Sequence, residues 1–407
     1  MGEYALAADL ARLVVTRAHR GAVATAVAIA LRRPGGTTRD LYLLERAASS
    51  RLATSRGEVF FATRDGELVQ FDDENWEFTR NWSKLGNSRV LCVSMGVDFG
   101  IAVTDQGSVF TWGSNEHGQL GQELVPGGFR REPTRSCETL SDVASVAAGV
   151  DYAWCVTRKG EAYSWGACAD FPLPSNHEVF VRHGTRHVTT PVRADTHGST
   201  AVSACAGYDA NILLCDDGTC LVSGDNSDGE LGLGDRVHHG DRFHRLELAG
   251  ERIIKTSTTM MNDIELHTLL LTSSGKMFGC GSNLQSQLVR KANSVYASPV
   301  RLTNGESFRD ICCGDGISFA ASRDGDGIWK LHCYGSGRFR NDVIYDTMDV
   351  DGPITKLADA RKSRGDNLLV VTSPRNSAER VYEWIHNPSA EAVRLDLVLD
   401  MAVDILD

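Results

Sequence analysis

Cys215 and Cys220, with the adjacent pair His238 and His239 further on, come nearest to a metal-ligand set in this chain of 407 residues. Structural zinc sites draw on tight ligand pairs carried by loops. These cysteines flank a turn inside segments that read as strands, so the sequence assigns them to the core as thiols. His183 and His187 have helical spacing, with His177 nearby, but Gly184 and Thr185 intervene and the segment reads as a solvated loop insertion. The stretch VFTWGSNEHGQLG, residues 109–121, places Gly113 and Gly118 as a phosphate-binding loop would. Such a loop needs Lys and then Ser or Thr after its second glycine; Gln119 and Leu120 stand there instead. There is no Gly-x-Ser-x-Gly elbow and no recognisable Ser, His and Asp arrangement. The sequence therefore nominates no catalytic residue, no cofactor-binding residue and no metal ligand.

Carboxylates remain. Asp98, Asp151 and Asp209 each occupy the third position of Gly-x-Asp, after Gly96, Gly149 and Gly207, and Asp315 is the second residue of Gly314-Asp315-Gly316. Each precedes an apolar strand, so a repeating architecture would set all four on one face. Clustered there they make an acidic surface suited to a basic partner. The plainer reading is an Asx-turn that caps the strand.

The elements that position them form a repeat. A hairpin pattern, two apolar residues, a turn glycine and a second strand ending in glycine, recurs as AVTDQGSVFTWG, WCVTRKGEAYSWG, LLCDDGTCLVSG and LLTSSGKMFGCG, with weaker copies from Phe60, before Gly335 and before Trp384. That makes seven. The turn glycines Gly66, Gly107, Gly160, Gly218, Gly275 and Gly325 lie 41 to 58 residues apart, which leaves room for two more strands per repeat. A second recurring segment supplies them, with Pro133, Pro191 or Pro299 near its start, as an edge strand allows, and a Val/Ile-rich strand after it. Four-stranded antiparallel sheets with two apolar faces bury themselves only by stacking, and seven of them close into a β-propeller. In that ring VFTWG is expected to be an inner strand. Asn115, Asn226 and Asn283 are expected to bond turn amides, and Leu120, Leu231 and Leu288 to fill gaps between blades.

The copy over residues 96–121 resembles the repeat of the regulator of chromosome condensation family, with its apolar pair, Asp-Gly-like turn, Trp-Gly strand end and Asn-x-x-Gly-Gln-Leu-Gly loop. The resemblance extends over about residues 55–407. It implies a seven-bladed β-propeller and a choice of two functions. One is a non-enzymatic interaction scaffold; the alternative is guanine nucleotide exchange on a Ran-type small GTPase, in which aspartates at turns like those of Asp98, Asp151, Asp209 and Asp315 engage the GTPase. The family's exchange factor also carries a β-wedge, which the insertion after Gly166, ACADFPLPSNHEVFVRHGTRH, does not resemble. The basic tail of the chromatin-bound member is missing too.

Composition fits a binding protein. Hydrophobic residues make up 42% and charged residues 23%, enough for a large core. The net charge of −11, with no lysine or arginine run, argues against direct DNA contact and for a protein partner, either basic or a small GTPase, with membership of a larger assembly as a further option. The eleven scattered cysteines read as reduced core thiols, which favours the cytoplasm. Residues 1–54 are expected to form a helical extension, with Leu6, Leu10, Leu13 and Val14 on one face. Residues 10–38 contain no acid and five arginines, a composition shared with mitochondrial targeting segments, so mitochondria and nucleus are the alternative compartments. The apolar run over residues 21–31 is shorter than the about 20 residues that span a bilayer. Residues 55–407 are expected to form the propeller, closed by C-terminal strands from 393–406 pairing with the sheet of Phe60 and Phe71.

Overall fold

The computed structural model describes residues 47–397 apart from short connecting segments, the longest being 123–127, 168–179, 261–265, 289–293, 336–343, 373–379 and 386–393. Among these residues there is no helix, and the strands form seven antiparallel sheets. We number them as blades 1 to 7, spanning residues 47–82, 90–136, 143–193, 201–246, 253–301, 308–350 and 354–397. Blade 3 carries a fifth strand, Phe180–Arg182, paired outside Thr185–Arg193. In every blade the first strand touches the first strand of the next, and that of blade 7 touches that of blade 1. The protein is thus a seven-bladed β-propeller whose first strands surround the axis.

The polarity of each strand follows from its place in the blade. Second strands such as Phe99–Thr104, Tyr152–Thr157, Ala210–Cys215 and His267–Thr272 are buried along their whole length, because both of their faces meet other blades. The outermost strand Phe129–Ser136 is exposed or half-buried up to its last residue. Pro133 and Pro299 sit on fourth strands at the outer edges, and Pro191 lies on the fourth strand of blade 3 beyond the stretch that pairs with Phe180–Arg182, so in each case a missing N–H faces no outer neighbour. The core is accordingly a series of seams. One joins Phe60 and Leu68 of blade 1 to Val93, Phe110 and Trp112 of blade 2; another joins Phe99 and Ile101 of blade 2 to Cys155 and Trp165 of blade 3. Equivalent seams unite blades 3 and 4, 4 and 5, and 5 and 6. Polar rivets cross them: Trp154 Nε1 donates to Asn211 Oδ1 at 2.8 Å, and Leu357 N donates to Asp310 Oδ2 at 2.8 Å.

Three expectations need correction. The second recurring segment is not the outer half of one blade, since its Pro-bearing strand ends one sheet and its Val/Ile-rich strand begins the next, at the axis. VFTWG correspondingly lies in a third strand, Val109–Ser114, inside its blade rather than at its inner edge. The ring also closes differently. Ala47–Ser55 is a strand that completes blade 1, so the boundary expected at residue 54 falls within the propeller. Arg394–Leu397 pairs within blade 7, with Arg380–Ile385, and not with the sheet of Phe60 and Phe71. The remainder of the expected helical extension, residues 1–46, lies outside the described residues.

Candidate functional site

The turn between first and second strands brings three of the expected aspartates into one register. In blades 2, 3 and 4 it is closed by a 2.8 Å hydrogen bond from Gly96 N to Phe99 O, Gly149 N to Tyr152 O and Gly207 N to Ala210 O, and Gly314 N to Ile317 O repeats it in blade 6. Asp98, Asp151 and Asp209 are the residues just before the second strand; Asp315 stands one position earlier. All four turns lie at the same end of the ring, here called the upper face. Asp98 is exposed there and the other three are partly exposed. Blade 5 has a longer connection at this place and no aspartate at the matching position, where Leu266 stands.

The turns are held to one another. Val97 N donates to Val150 O of the next blade at 3.2 Å, and Tyr208 N donates to Thr259 O at 3.0 Å. The aspartate carbonyls are fixed from the other side: Ser114 N, Ala167 N and Asp225 N donate to Asp98 O, Asp151 O and Asp209 O at 2.8, 2.9 and 3.2 Å. Each acidic side chain therefore projects from a backbone clamped on both flanks.

Loops from the ends of the third strands cover this face, and their construction follows the Asn-x-x-Gly-Gln-Leu-Gly pattern. Asn115 Oδ1 accepts from Leu120 N at 3.0 Å, Asn226 Oδ1 from Leu231 N at 2.9 Å and Asn283 Oδ1 from Leu288 N at 2.8 Å. The three leucines are fully buried and join the seam with the following blade, as expected. Each loop is in this way a strap from one blade to the next. Asn226→Ala would leave Leu231 N buried without its acceptor and remove the Nδ2 bonds to Asp235. The expected cost is about 1–3 kcal/mol, read as a lower urea midpoint; an unchanged midpoint would show that the asparagine does not hold the strap.

The strap adds a residue that sequence reasoning overlooked. His117 Nε2 lies 3.8 Å from Asp151 Oδ2, across the seam between blades 2 and 3. Its ring stacks on that of His187, with centroids 4.9 Å apart. His187 does not sit in a solvated loop: it is fully buried on the strand Thr185–Arg193, opposite Ala167. His177 and His183 lie outside the described residues. The only sequence signal for His117 was its place within the strap motif.

The cysteine and histidine candidates settle into structural places. Cys215 and Cys220 are buried on the second and third strands of blade 4, and burial pushes both thiols up from their ordinary pKa. Cys137, at the seam of blades 2 and 3, is pushed up to about 12 by the same cause. All ten described cysteines are free thiols. His239 Nε2 is 3.0 Å from Asp235 Oδ1, an interaction that heads the causes holding the Asp235 carboxyl below its usual range. Among the described residues no group of three or more His, Cys, Asp or Glu is placed to hold a metal ion.

The regulator of chromosome condensation (RCC1) repeat matches residues 106–156, and a second form of the same repeat matches residues 90–119. Those residues are the hairpin, strap and clamped turn just described. Residues 90–156 thus carry repeats of the regulator of chromosome condensation family. Among curated proteins the chain is 26% identical over 284 residues to the mouse serine/threonine-protein kinase Nek9, covering 64% of this chain and 27% of the kinase. It is 28% identical to the mitochondrial RCC1 domain-containing protein RUG3 of Arabidopsis thaliana, covering 65% of this chain and 59% of RUG3. The ultraviolet-B receptor UVR8 of the same plant is 28% identical over 76% of this chain and 67% of its own. The chain thus spans about a quarter of Nek9 and less than two thirds of RUG3. Two solved structures share its fold: human WBSCR16, with a TM-score of 0.61 at 18% identity over 80% of this chain and 87% of that one, and Prp20p of Saccharomyces cerevisiae, with 0.58 at 17% over 86% and 84%.

Proposed function

We propose that this propeller is a non-enzymatic protein-interaction scaffold, and that its upper face receives the partner through Asp98, Asp151, Asp209 and Asp315. The observation that carries the reading is the contrast between the two faces. On the lower face, opposite charges are tied together, as in Arg158 with Asp142 at 2.6 Å and Arg245 with Asp217 at 2.6 Å. Around the upper mouth carboxylates outnumber cations: Glu116 and Asp225 on straps add to the four turn aspartates, beside Arg236 and the histidines His117 and His238, which face Asp151 and Asp225. Such a field favours a basic protein surface and speeds its approach. The cytoplasm suits a chain of free thiols, and the mitochondrial name of RUG3 keeps the organelle as the alternative.

A second reading is guanine nucleotide exchange on a Ran-type small GTPase. It is favoured by Prp20p, whose structure was described together with its binding to Gsp1p and histones. Weighing against it, the described part of the insertion after Gly166 forms the edge of blade 3, through Phe180–Arg182. The two readings separate in one experiment, in which the protein is added to a panel of small GTPases preloaded with fluorescent GDP. A scaffold leaves GDP release at its spontaneous rate at every concentration. An exchange factor accelerates release from one GTPase by orders of magnitude, and Asp151→Ala or Asp209→Ala abolishes the gain while the fold persists. For the scaffold itself, proteins captured from native extract by the wild type should be lost when all four aspartates become asparagine. Retention of the same proteins by that variant would remove the upper-face assignment.

A further inference from the structure

The two faces of the ring differ in the kind of cation set against their carboxylates. At the lower turns, Arg193 with Glu161 at 3.0 Å and Lys330 with Asp324 at 3.4 Å join the pairs made by Arg158 and Arg245. Guanidinium and ammonium groups keep their charge throughout the range in which proteins work. His197, 3.5 Å from Asp195, adds an imidazole there. On the upper face imidazoles take the leading place. His117 Nε2 lies 3.8 Å from Asp151 Oδ2, His238 Nδ1 lies 4.0 Å from Asp225 Oδ1, and His239 Nε2 lies 3.0 Å from Asp235 Oδ1. Histidine is the side chain that changes charge between about pH 5 and 8, whereas an ordinary carboxylate keeps its charge down to about pH 4.

His117 is the best placed of the three. It rides on the strap of blade 2, where its backbone N–H donates to Gln119 Oε1 at 2.8 Å, and it reaches across the seam to the aspartate turn of blade 3. Its side chain is 31% exposed and that of Asp151 is 32% exposed, so an arriving partner can touch both. The groups that face it are the Asp151 carboxylate and the ring of buried His187, stacked at 4.9 Å, with Glu116 beside it on the strap. His238 faces Asp225, with Arg236 two residues earlier; His239 faces Asp235 and, edge to face at 4.4 Å, the ring of His244. Each imidazolium would supply in place the positive charge that a basic partner brings. We infer that His117, His238 and His239 gate the upper face by pH: neutral, they leave its carboxylates to a basic partner, and protonated, they occupy them and release it. Resting on the upper face as the partner's site, this gate adds the regulation of that site. Linkage is reciprocal, so a bound cation must hinder protonation of the imidazoles as much as their protonation hinders its binding.

The test follows binding of rhodamine-labelled octalysine to the full chain by fluorescence anisotropy, at about pH 8 and about pH 5.5 and at one ionic strength. The wild type should lose about tenfold or more in affinity at the lower pH, and His117→Gln/His238→Gln/His239→Gln less than about twofold, the two proteins binding alike at the higher pH. An equal loss in both proteins overturns the gate. The variant with all four turn aspartates changed to asparagine distinguishes failure of the gate from failure of the site. If it binds octalysine as tightly as the wild type at the higher pH, or if the wild type does not bind, the upper face is not the site and the gate falls with it. A second measurement needs neither the probe nor the triple variant. In protein labelled with 13C at histidine Cε1, the titration midpoint of His117 should fall in Asp151→Asn, because the carboxylate that stabilises its charge is gone. An unchanged midpoint likewise refutes the gate.

Discussion

Gly224→Ala is expected to destabilise the propeller by about 3 kcal/mol or more, through steric overlap and backbone strain combined. Gly224 has φ +119°, in the region that residues with a Cβ avoid, and a Cβ there would stand 1.9 Å from Asp209 O. That carbonyl is the one clamped by Asp225 N, so the added methyl group pushes against the turn that presents Asp209. The same geometry recurs at Gly113, Gly166, Gly281 and Gly335, whose Cβ positions meet the carbonyls of Asp98, Asp151, Leu266 and Gly316 at 2.3, 2.4, 2.5 and 2.5 Å. Gly250 is the proper control: its φ is also positive, at +73°, but nothing lies within 4 Å of its Cβ position. Gly250→Ala should therefore cost only about 1 kcal/mol. Urea denaturation of the two variants decides the matter, and equal midpoints would show that the carbonyl contact is not what demands glycine.

Glu230→Gln should have a comparable effect of opposite sign. Glu230 stands in its strap where Gln119 and Gln287 stand in theirs, and it is fully buried between blades 4 and 5. All three side chains use one oxygen alike, accepting from the backbone N–H two residues earlier: His117 N to Gln119 at 2.8 Å, Asp228 N to Glu230 at 3.1 Å and Gln285 N to Gln287 at 2.9 Å. The second oxygen of Glu230 has no hydrogen-bond partner among the described residues. Burial, with Asp225 and Asp228 adding to it, pushes this carboxyl up from 4.5 to about 8. A folded pKa above the unfolded one means that the unfolded chain ionises first. The contribution of Glu230 is complete below about pH 4.5 and is lost progressively as pH rises through about 8. At pH 7 the cost of the acid relative to a neutral isostere is about 3 kcal/mol. Glu230→Gln should then raise the melting temperature at pH 8 by several degrees, with the difference closing towards pH 5. A gain that is the same at both pH values would exclude the carboxyl as its source.

The architecture was readable because burial in this ring is written strand by strand. Short runs rich in apolar residues, such as ANILLC and HTLLLT, mark sheets covered on both faces, and the spaced glycines mark positions where a Cβ has no room. The phase of the repeat was not readable. Ser136 ends one blade and Val143 begins the next, and six residues of connection look the same whether the strands on either side pair or part. His187 was misjudged for a related reason: it lies on Thr185–Arg193, which pairs with Ala162–Ala167 on one side and Phe180–Arg182 on the other, so this stretch is sheet and not a solvated loop. The shared register of Asp98, Asp151 and Asp209 could be seen from Gly-x-Asp alone. The approach of His117 to Asp151 could not, because it depends on a strap lying over the following blade, and no spacing along the chain encodes that.

Because every blade is assembled from one continuous stretch of chain, the described residues include no latch strand, and the joint between blades 7 and 1 rests on contact between first strands, as the others do. Its seven joints are therefore topologically interchangeable. New ends could be cut in the linker between Ser136 and Val143, and the old ones bridged, without dividing any sheet. A duplication or loss of one module would likewise add or remove a finished layer, which makes this ring a circle that can be opened anywhere and resized by whole units.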